Sequence, residues 1–329
     1  MKVLTSFLFI LFLFNSCKKT TTPAPVSPPV TPITPVQPTV KPDLKTADST
    51  IEILETVSGA KEAERLAQNF RASDFSTTGF YLPAFTPMEI EVTQINGNSL
   101  PTLLVGTYSR YQAKWDPTSH TLKSGINTIT DASGGIMYLR FNNDNPSSKV
   151  KVRFIKGMKP IPYFQLGKTL QADWVKMIDN ITDVPDVQLV GKKTIITFSL
   201  ANAKVYKNDN QEALIKKADR VIAIEDSISG LIGTDPIDQP NVHKYLMTES
   251  DHPGYFMAAT FYRTWYGSTT GGVPSILKAD NLTWGPWHEL GHMHQQGAWT
   301  WSELTEVTVN IYSIAVEKAF GITPTRLTS

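Results

Sequence analysis

Trp284-Gly285-Pro286-Trp287-His288-Glu289-Leu290-Gly291-His292-Met293-His294-Gln295-Gln296-Gly297 is the stretch on which the reading of this chain turns. Pro286 suits a first helical turn and Gly297 a C-terminal cap, so the residues between them are expected to form a helix. His288 and His292 stand one helical turn apart on a common face. Two imidazoles so placed can both reach a metal of tetrahedral preference, and Glu289 falls beside the open position where a water would sit. The arrangement H-E-x-x-H points to a zinc hydrolase holding one Zn2+ per chain. The metal lowers the pKa of its water toward about 7, and the carboxylate takes the proton and passes it to a leaving amine. A helix with two merely satisfied histidines has the same five residues, so the flanking sequence has to decide.

Downstream, the continuation H-x-x-G-x-x-H fails, because Gln295 stands where it needs Gly and Ala298 where it needs His. The third ligand is therefore expected to be a carboxylate on a following helix. Two glutamates compete. Thr300-Trp301-Ser302-Glu303 has the form of a capping box, which would occupy Glu303 structurally. Glu306 is left, in an expected helix from Leu304 to Phe320 that is apolar on most sides, where a carboxylate wants a strong partner. Asn310, one turn on, is placed to orient a ligand histidine. The competing reading makes Glu306, Asn310, Ser313 and Glu317 the solvated stripe of an amphipathic helix.

Upstream, Tyr262, Arg263, Trp265 and Tyr266 combine stacking faces with a guanidinium fork, suited to a substrate glycan or to a core. His294, two residues past His292, is expected to point to another side of the helix and to serve packing or to support the site from behind the ligands. His243 and His252 read as satisfied histidines, and Glu225 and Asp226 as a solvated helix end. Helices are expected over Thr169–Ile178 and Glu212–Ile232, with a strand at Thr194–Leu200, as in an α/β body. Before Pro160 the period is two: Met88, Ile90 and Val92 alternate with Glu89, Glu91 and Thr93, Asn96-Gly97 offers a hairpin turn, and Val150, Val152 and Phe154 repeat the pattern. This predicts an antiparallel β-sandwich preceded by a short helix capped by Ser58.

The N-terminal end carries an apolar run from Val3 to Phe14 after Lys2, too short to span a bilayer as a mature helix and read as an export signal. Cys17 follows directly and is similar to a lipobox cysteine, the expected lipidation site. Eight prolines between Pro23 and Pro42 predict an extended stalk reaching up to roughly 60 Å. The expected location is an exported lipoprotein anchored at the outer membrane, facing periplasm or surface. Lys18-Lys19 after the cysteine, with no acid before Asp43, favours anchoring over surface display.

Across 329 residues, 31 Lys plus Arg balance 30 Asp plus Glu, so no basic field favours nucleic acid as a partner. A single Cys excludes a disulfide framework and a thiolate zinc site.

The motif, with Trp284-Gly285-x-Trp287 before it and Gln295, Trp299 and Glu306-Val307-x-x-Asn310-Ile311-Tyr312 after it, resembles the enhancin-like and mucin-degrading gluzincins of peptidase family M-sixty. Ser76-Thr77-Thr78-Gly79-Phe80-Tyr81-x-Pro83, Gly134-Gly135-Ile136-Met137-Tyr138 and Gly254-Tyr255-Phe256-Met257-Ala258-Ala259-Thr260 extend the likeness over most of residues 74–320. The resemblance implies a zinc endopeptidase acting on O-glycosylated proteins such as mucins, with His288, His292 and Glu306 on zinc and Glu289 as general base. It also implies further helices past the glutamate helix, so Ser329 is expected to fall inside an incomplete catalytic domain.

The expected fold class is α+β: an N-terminal antiparallel β-sandwich followed by a zincin-like α/β catalytic body. The expected regions are a signal peptide at 1–17, a linker at 18–48, the helix and sandwich at 49–160, and the catalytic body at 161–329. Two other readings stay open: a catalytically silent glycan-binding lipoprotein, and a general gluzincin with no glycan requirement.

Overall fold

Alternation of apolar and charged residues builds the first sheet. In Met88–Asn96 the side chains of Met88, Ile90 and Val92 are buried while Glu89 and Glu91 reach the other face, and Lys149–Lys156 repeats this with Val150, Val152 and Phe154. In the computed structural model, which describes residues 47–328, these strands pair antiparallel. Thr50–Leu54 and Gly125–Ile129 flank them in a four-stranded sheet. Arg153–Glu91 and Lys156–Glu89 pairs at 2.7 and 2.8 Å fix the register on the outer face.

A five-stranded antiparallel sheet runs in the order Thr118–Thr121, Thr102–Val105, Gly135–Arg140, Ser76–Leu82, Lys159–Pro160. Gly135–Arg140 explains how the layers stack. Met137 and Leu139 join the apolar cluster shared with Ile90, Val92, Val150 and Val152, whereas Ile136 and Tyr138 join a second cluster with the C-terminal half. Burial on both faces is why this strand is a continuous apolar run rather than an alternation.

The second cluster centres on a six-stranded mixed sheet ordered Tyr163–Gln165, Asp186–Val190, Thr194–Ser199, Tyr245–Ser250, Arg263–Gly267, Met257–Thr260. The last of these is an edge strand, paired antiparallel to Arg263–Gly267. Helices Gln171–Asn180 and Gln211–Ile228 pack Trp174, Met177, Leu214, Ala218, Val221 and Ile222 into the cluster. Among the described residues no helix is long and apolar enough to cross a membrane. The result is a mixed α/β fold with several antiparallel sheets.

Ser58 caps Gly59–Arg65 as expected, accepting from the Lys61 amide at 3.2 Å. Other local expectations are corrected. Asn96-Gly97 closes no hairpin between consecutive strands: both neighbours of Met88–Asn96 are already taken by Gly125–Ile129 and Lys149–Lys156, so the chain crosses to the other sheet. The long helix stops at Ile228, with Gly230 at φ +76° just beyond. The Leu304–Phe320 helix starts at Thr305 and is interrupted at Val309. No capping box forms, because the Thr300 hydroxyl donates to the Gln296 carbonyl at 2.8 Å.

Candidate metal centre

The motif helix runs Trp284–His294, with Pro286 in its first turn. It ends at Gln295, two residues before Gly297, because Gln295 leaves helical geometry (φ −57°, ψ 127°). On the face toward the edge strand, His288 Nε2 and His292 Nε2 lie 3.2 Å apart, and Glu306 Oε2 lies 3.0 Å from the first and 3.4 Å from the second. These three residues form a group able to hold a metal ion. The solvated-stripe reading fails, since Ser313 and Glu317 are buried and Glu306, though exposed, turns back onto both imidazoles.

The second nitrogen of each ring is also engaged. His288 Nδ1 meets Asn310 Oδ1 at 3.1 Å, and His292 Nδ1 meets Gln295 Oε1 at 2.7 Å. An amide oxygen can only accept, so both Nδ1 atoms carry protons and both Nε2 lone pairs face each other and the carboxylate. Two lone pairs 3.2 Å apart beside an anion repel unless a cation lies among them, and this donor set of two imidazoles and one carboxylate suits zinc. The amides are themselves anchored: Asn310 donates to the Glu306 carbonyl at 2.8 Å, and Gln295 to the Thr305 carbonyl and the Thr308 hydroxyl at 2.8 and 2.9 Å.

Close packing sets the reach between the two helices. A Cβ added at Gly291 would stand 3.0 Å from both Tyr312 Cβ and Val309 Cγ2, so the missing side chain lets the segment carrying Glu306 and Asn310 approach the motif helix. Glu289 lines a cleft of about 240 Å³ with Phe70, Met257, Ala259, His292 and Glu306. Burial, reinforced by the Glu306 charge and opposed by a hydrogen bond from the Ala259 amide, pushes its carboxyl up to about 7.

The sequence profile of Peptidase M60, enhancin and enhancin-like, matches residues 157–329. The chain belongs to this family. Residues 58–154 match the N-terminal domain of M60-like peptidases. A functionally unknown conserved protein from Bacillus anthracis superposes with a TM-score of 0.75 at 32% identity, over 84% of this chain and 57% of that one. The ZmpB metallopeptidase from Clostridium perfringens superposes at 0.74 with 23% identity, over 85% and 59%. The M60 catalytic domain of Clostridium perfringens ZmpC, in complex with the sialyl T antigen, does so at 0.72 with 19% identity, over 82% and 57%. At those identities the clostridial likenesses are likenesses of fold. Among curated relatives, TRPM8 channel-associated factor 3 of Rattus norvegicus is 26% identical over 74% of this chain and 27% of its own length. The chain thus spans about a quarter of the curated relatives it matches.

Within this M60 fold the expected substrate residues are placed differently. Arg263 and Tyr266 are buried. Arg263 donates to Ser109 Oγ and Asp116 Oδ1 at 2.8 and 2.9 Å and lies under the Trp115 ring, so it supports a wall rather than meeting a ligand. The Tyr266 hydroxyl donates to Thr264. Trp265 lines a separate aromatic cleft with Tyr111, Trp115, His252 and Tyr255. His252 is a satisfied histidine, its Nδ1 accepting from the Gly254 amide at 3.1 Å, and it also packs among the rings of this cluster; buried His243 is satisfied by the Val57 carbonyl at 2.8 Å.

Glu225 and Asp226 are not solvated. Both are buried against His294, whose Nδ1 is 3.0 Å from Glu225 and Nε2 3.4 Å from Asp226. The His294 Nδ1–H donates to the Leu290 carbonyl at 2.9 Å; burial alone would lower the imidazole pKa, but the two carboxylates beside it lift it to about 10. His294 therefore does point away from the metal centre, as a buried cation. The Gln295 contact with His292 is not among the expectations from sequence, where Gln295 figures only as a residue of the wider motif. Cys17 and residues 1–46 lie outside the described residues.

Proposed function

We propose that this chain is a zinc-dependent endopeptidase whose substrates are O-glycosylated proteins such as mucins, with a zincin-like body preceded by a β-sandwich. The observation that carries it is the convergence of His288, His292 and Glu306 with Glu289 alongside in one cleft. His288, His292 and Glu306 would hold zinc, which supplies Lewis acidity and makes water acidic enough to ionise near pH 7. Asn310 and Gln295 fix the ligand tautomers. Glu289 accepts the proton of the attacking water at its carboxylate and returns it to the leaving nitrogen. The edge strand Met257–Thr260 borders the same cleft and offers backbone groups to an extended peptide.

A glycosylated substrate is supported by fold neighbours described in complex with the sialyl T antigen and the Tn antigen. Residues 1–46 retain the reading of an export signal, lipidated Cys17 and stalk, which would tether the enzyme at the outer membrane. The names of the curated relatives favour a second reading, a binding protein without turnover. Incubation with an O-glycosylated protein and mass-spectrometric mapping of new peptide termini separates the two. Wild type is expected to generate termini and Glu289→Gln none while retaining metal. Equal cutting by the variant excludes Glu289 as base, and no cutting by either favours the binding protein.

A further inference from the structure

Residues 66–73, from the N-terminal half of the chain, form a strap that joins the C-terminal end of the motif helix to the C-terminal end of the edge strand. At the helix end the Gly297 amide donates to the Ala67 carbonyl at 2.8 Å, the Asn69 amide to the Gln295 carbonyl at 3.2 Å, and Gln296 Nε2 to the Leu66 carbonyl at 3.2 Å. At the strand end the Arg71 amide donates to the Phe261 carbonyl at 2.8 Å and Ser73 Oγ to the Tyr262 carbonyl at 3.0 Å. The Arg71 guanidinium also lies 5.3 Å from the centre of the Tyr262 ring. Phe70 stands between the two sets of bonds, and its ring lines the cleft that holds Glu289.

The strap is held firmly. Ala67 and Phe261, one at each anchor, adopt left-handed backbone at φ +52° and +43°. Such a conformation is unfavourable for a residue with a Cβ and persists only where the surroundings hold it. The carbonyl of each of these residues accepts one of the bonds that tie the strap down. Phe70 is partly buried and packs against the larger apolar cluster, while its neighbour Asn69 is exposed. The ring is therefore a fixed part of the cleft rather than a loop side chain free to turn away.

The lining of the cleft divides by chemistry. Glu289, His292, Thr305 and Glu306 make its polar part, and Phe70, Met257, Ala258 and Ala259 its apolar part. The two alanines are small and leave room, and the thioether chain of Met257 adapts to what it meets. An apolar group lodged against Phe70 and Met257 gains by leaving water. A charged group loses hydration against the same side chains, and an anion has Glu289 and Glu306 for neighbours as well. The surface thus selects for an uncharged aliphatic or aromatic group.

We propose that Phe70 is a specificity-determining residue: held by the strap, its ring joins Met257 in seating an apolar, uncharged side chain of the substrate beside the bond to be cut. This deepens the peptidase reading and rests on it. The seat itself is a property of the cleft and can be measured by binding.

The test uses the zinc-loaded full chain, titrated in a calorimeter with three probes that share a metal-binding group and differ in their tails: acetohydroxamic acid (methyl), phenylacetohydroxamic acid (benzyl) and succinic acid monohydroxamate (anionic). Wild type is expected to bind the benzyl probe about tenfold more tightly than the methyl probe, and the anionic probe no more tightly than the methyl one. Phe70→Ala is expected to remove the tenfold difference while binding the methyl probe as wild type does, and Phe70→Leu to keep most of it. Met257→Ala, in the same apolar lining, is expected to lose part of it without any change to the strap. A strap that only supports the fold would weaken all three probes together. No benzyl preference in wild type, a preference undiminished in Phe70→Ala, or an equal loss for every probe overturns the assignment. Zinc content and new peptide termini, measured on the same samples, separate this from the peptidase reading. A benzyl preference lost in Phe70→Ala by a chain that cuts no peptide upholds the seat and removes only turnover, cutting without the preference does the reverse, and a chain that takes up no zinc removes both.

Discussion

His288 and His292 differ from ordinary helix histidines in what holds their far nitrogens. Asn310 Oδ1 and Gln295 Oε1 each accept a proton from Nδ1, so the metal-facing nitrogens are presented as lone pairs before any ion arrives. Replacing Asn310 by Leu removes that restraint from His288 and should weaken zinc binding by about 10- to 100-fold, as measured by competition against a chromogenic chelator. Unchanged affinity would show that the contact is incidental. His288, Glu289 and His292 were legible because helical spacing alone puts the two histidines together. Glu306 was legible by elimination. Gln295 was not, because its role depends on where the helix ends and what lies across from that end. For Arg263 the sequence leaves ligand and core open, because a guanidinium buried under Trp115 and one offered to a ligand look the same in sequence.

At the level of elements, the motif helix is clamped on two sides. Gly291 admits the following helix closely, and His294 pins the helix to Gln211–Ile228 through Glu225 and Asp226. His294→Ala leaves two buried carboxylates without their cation and should cost about 3–5 kcal/mol in chemical denaturation, against near neutrality for an exposed site. A second clamp lies in the N-terminal half. Asp131 accepts from the Ser133 and Gly134 amides at 2.9 and 2.7 Å and pairs with Lys114 at 2.7 Å, tying the turn before Gly135–Arg140. Burial would raise its pKa, but Lys114 and the amides prevail and lower it to about 2. A depressed carboxylate contributes stability that is complete above about 4 and is lost as pH falls through about 2. Asp131→Asn should therefore be less stable than wild type at pH 7, and the gap should narrow between about pH 4 and 2 in urea titrations. A constant gap would assign the effect to packing. Strand alternation made the first sheet readable, whereas the Asn96-Gly97 turn misled because turn chemistry does not reveal which strand already occupies an edge.

For the whole molecule, the five-stranded sheet is the shared layer: Met137 and Leu139 face one cluster, Ile136 and Tyr138 the other. The loop between Thr102–Val105 and Thr118–Thr121 reaches from this sheet to the six-stranded one, where Arg110 donates to the Glu249 carbonyl at 2.8 Å and pairs with Asp186. That bridge sets Tyr111 and Trp115 opposite His252 and Trp265. No sequence period could reveal such a cleft, because its walls meet only through tertiary contacts across more than a hundred residues. Enzymatic function depends on the metal group of His288, His292 and Glu306. The most direct measurement is zinc content per chain by elemental analysis of purified wild type and Glu306→Ala, with circular dichroism to verify that both are folded. About one zinc per wild-type chain is expected, with its loss in the variant. A folded wild-type chain without zinc after equilibration with the metal, or a Glu306→Ala chain that keeps its full complement, would contradict it.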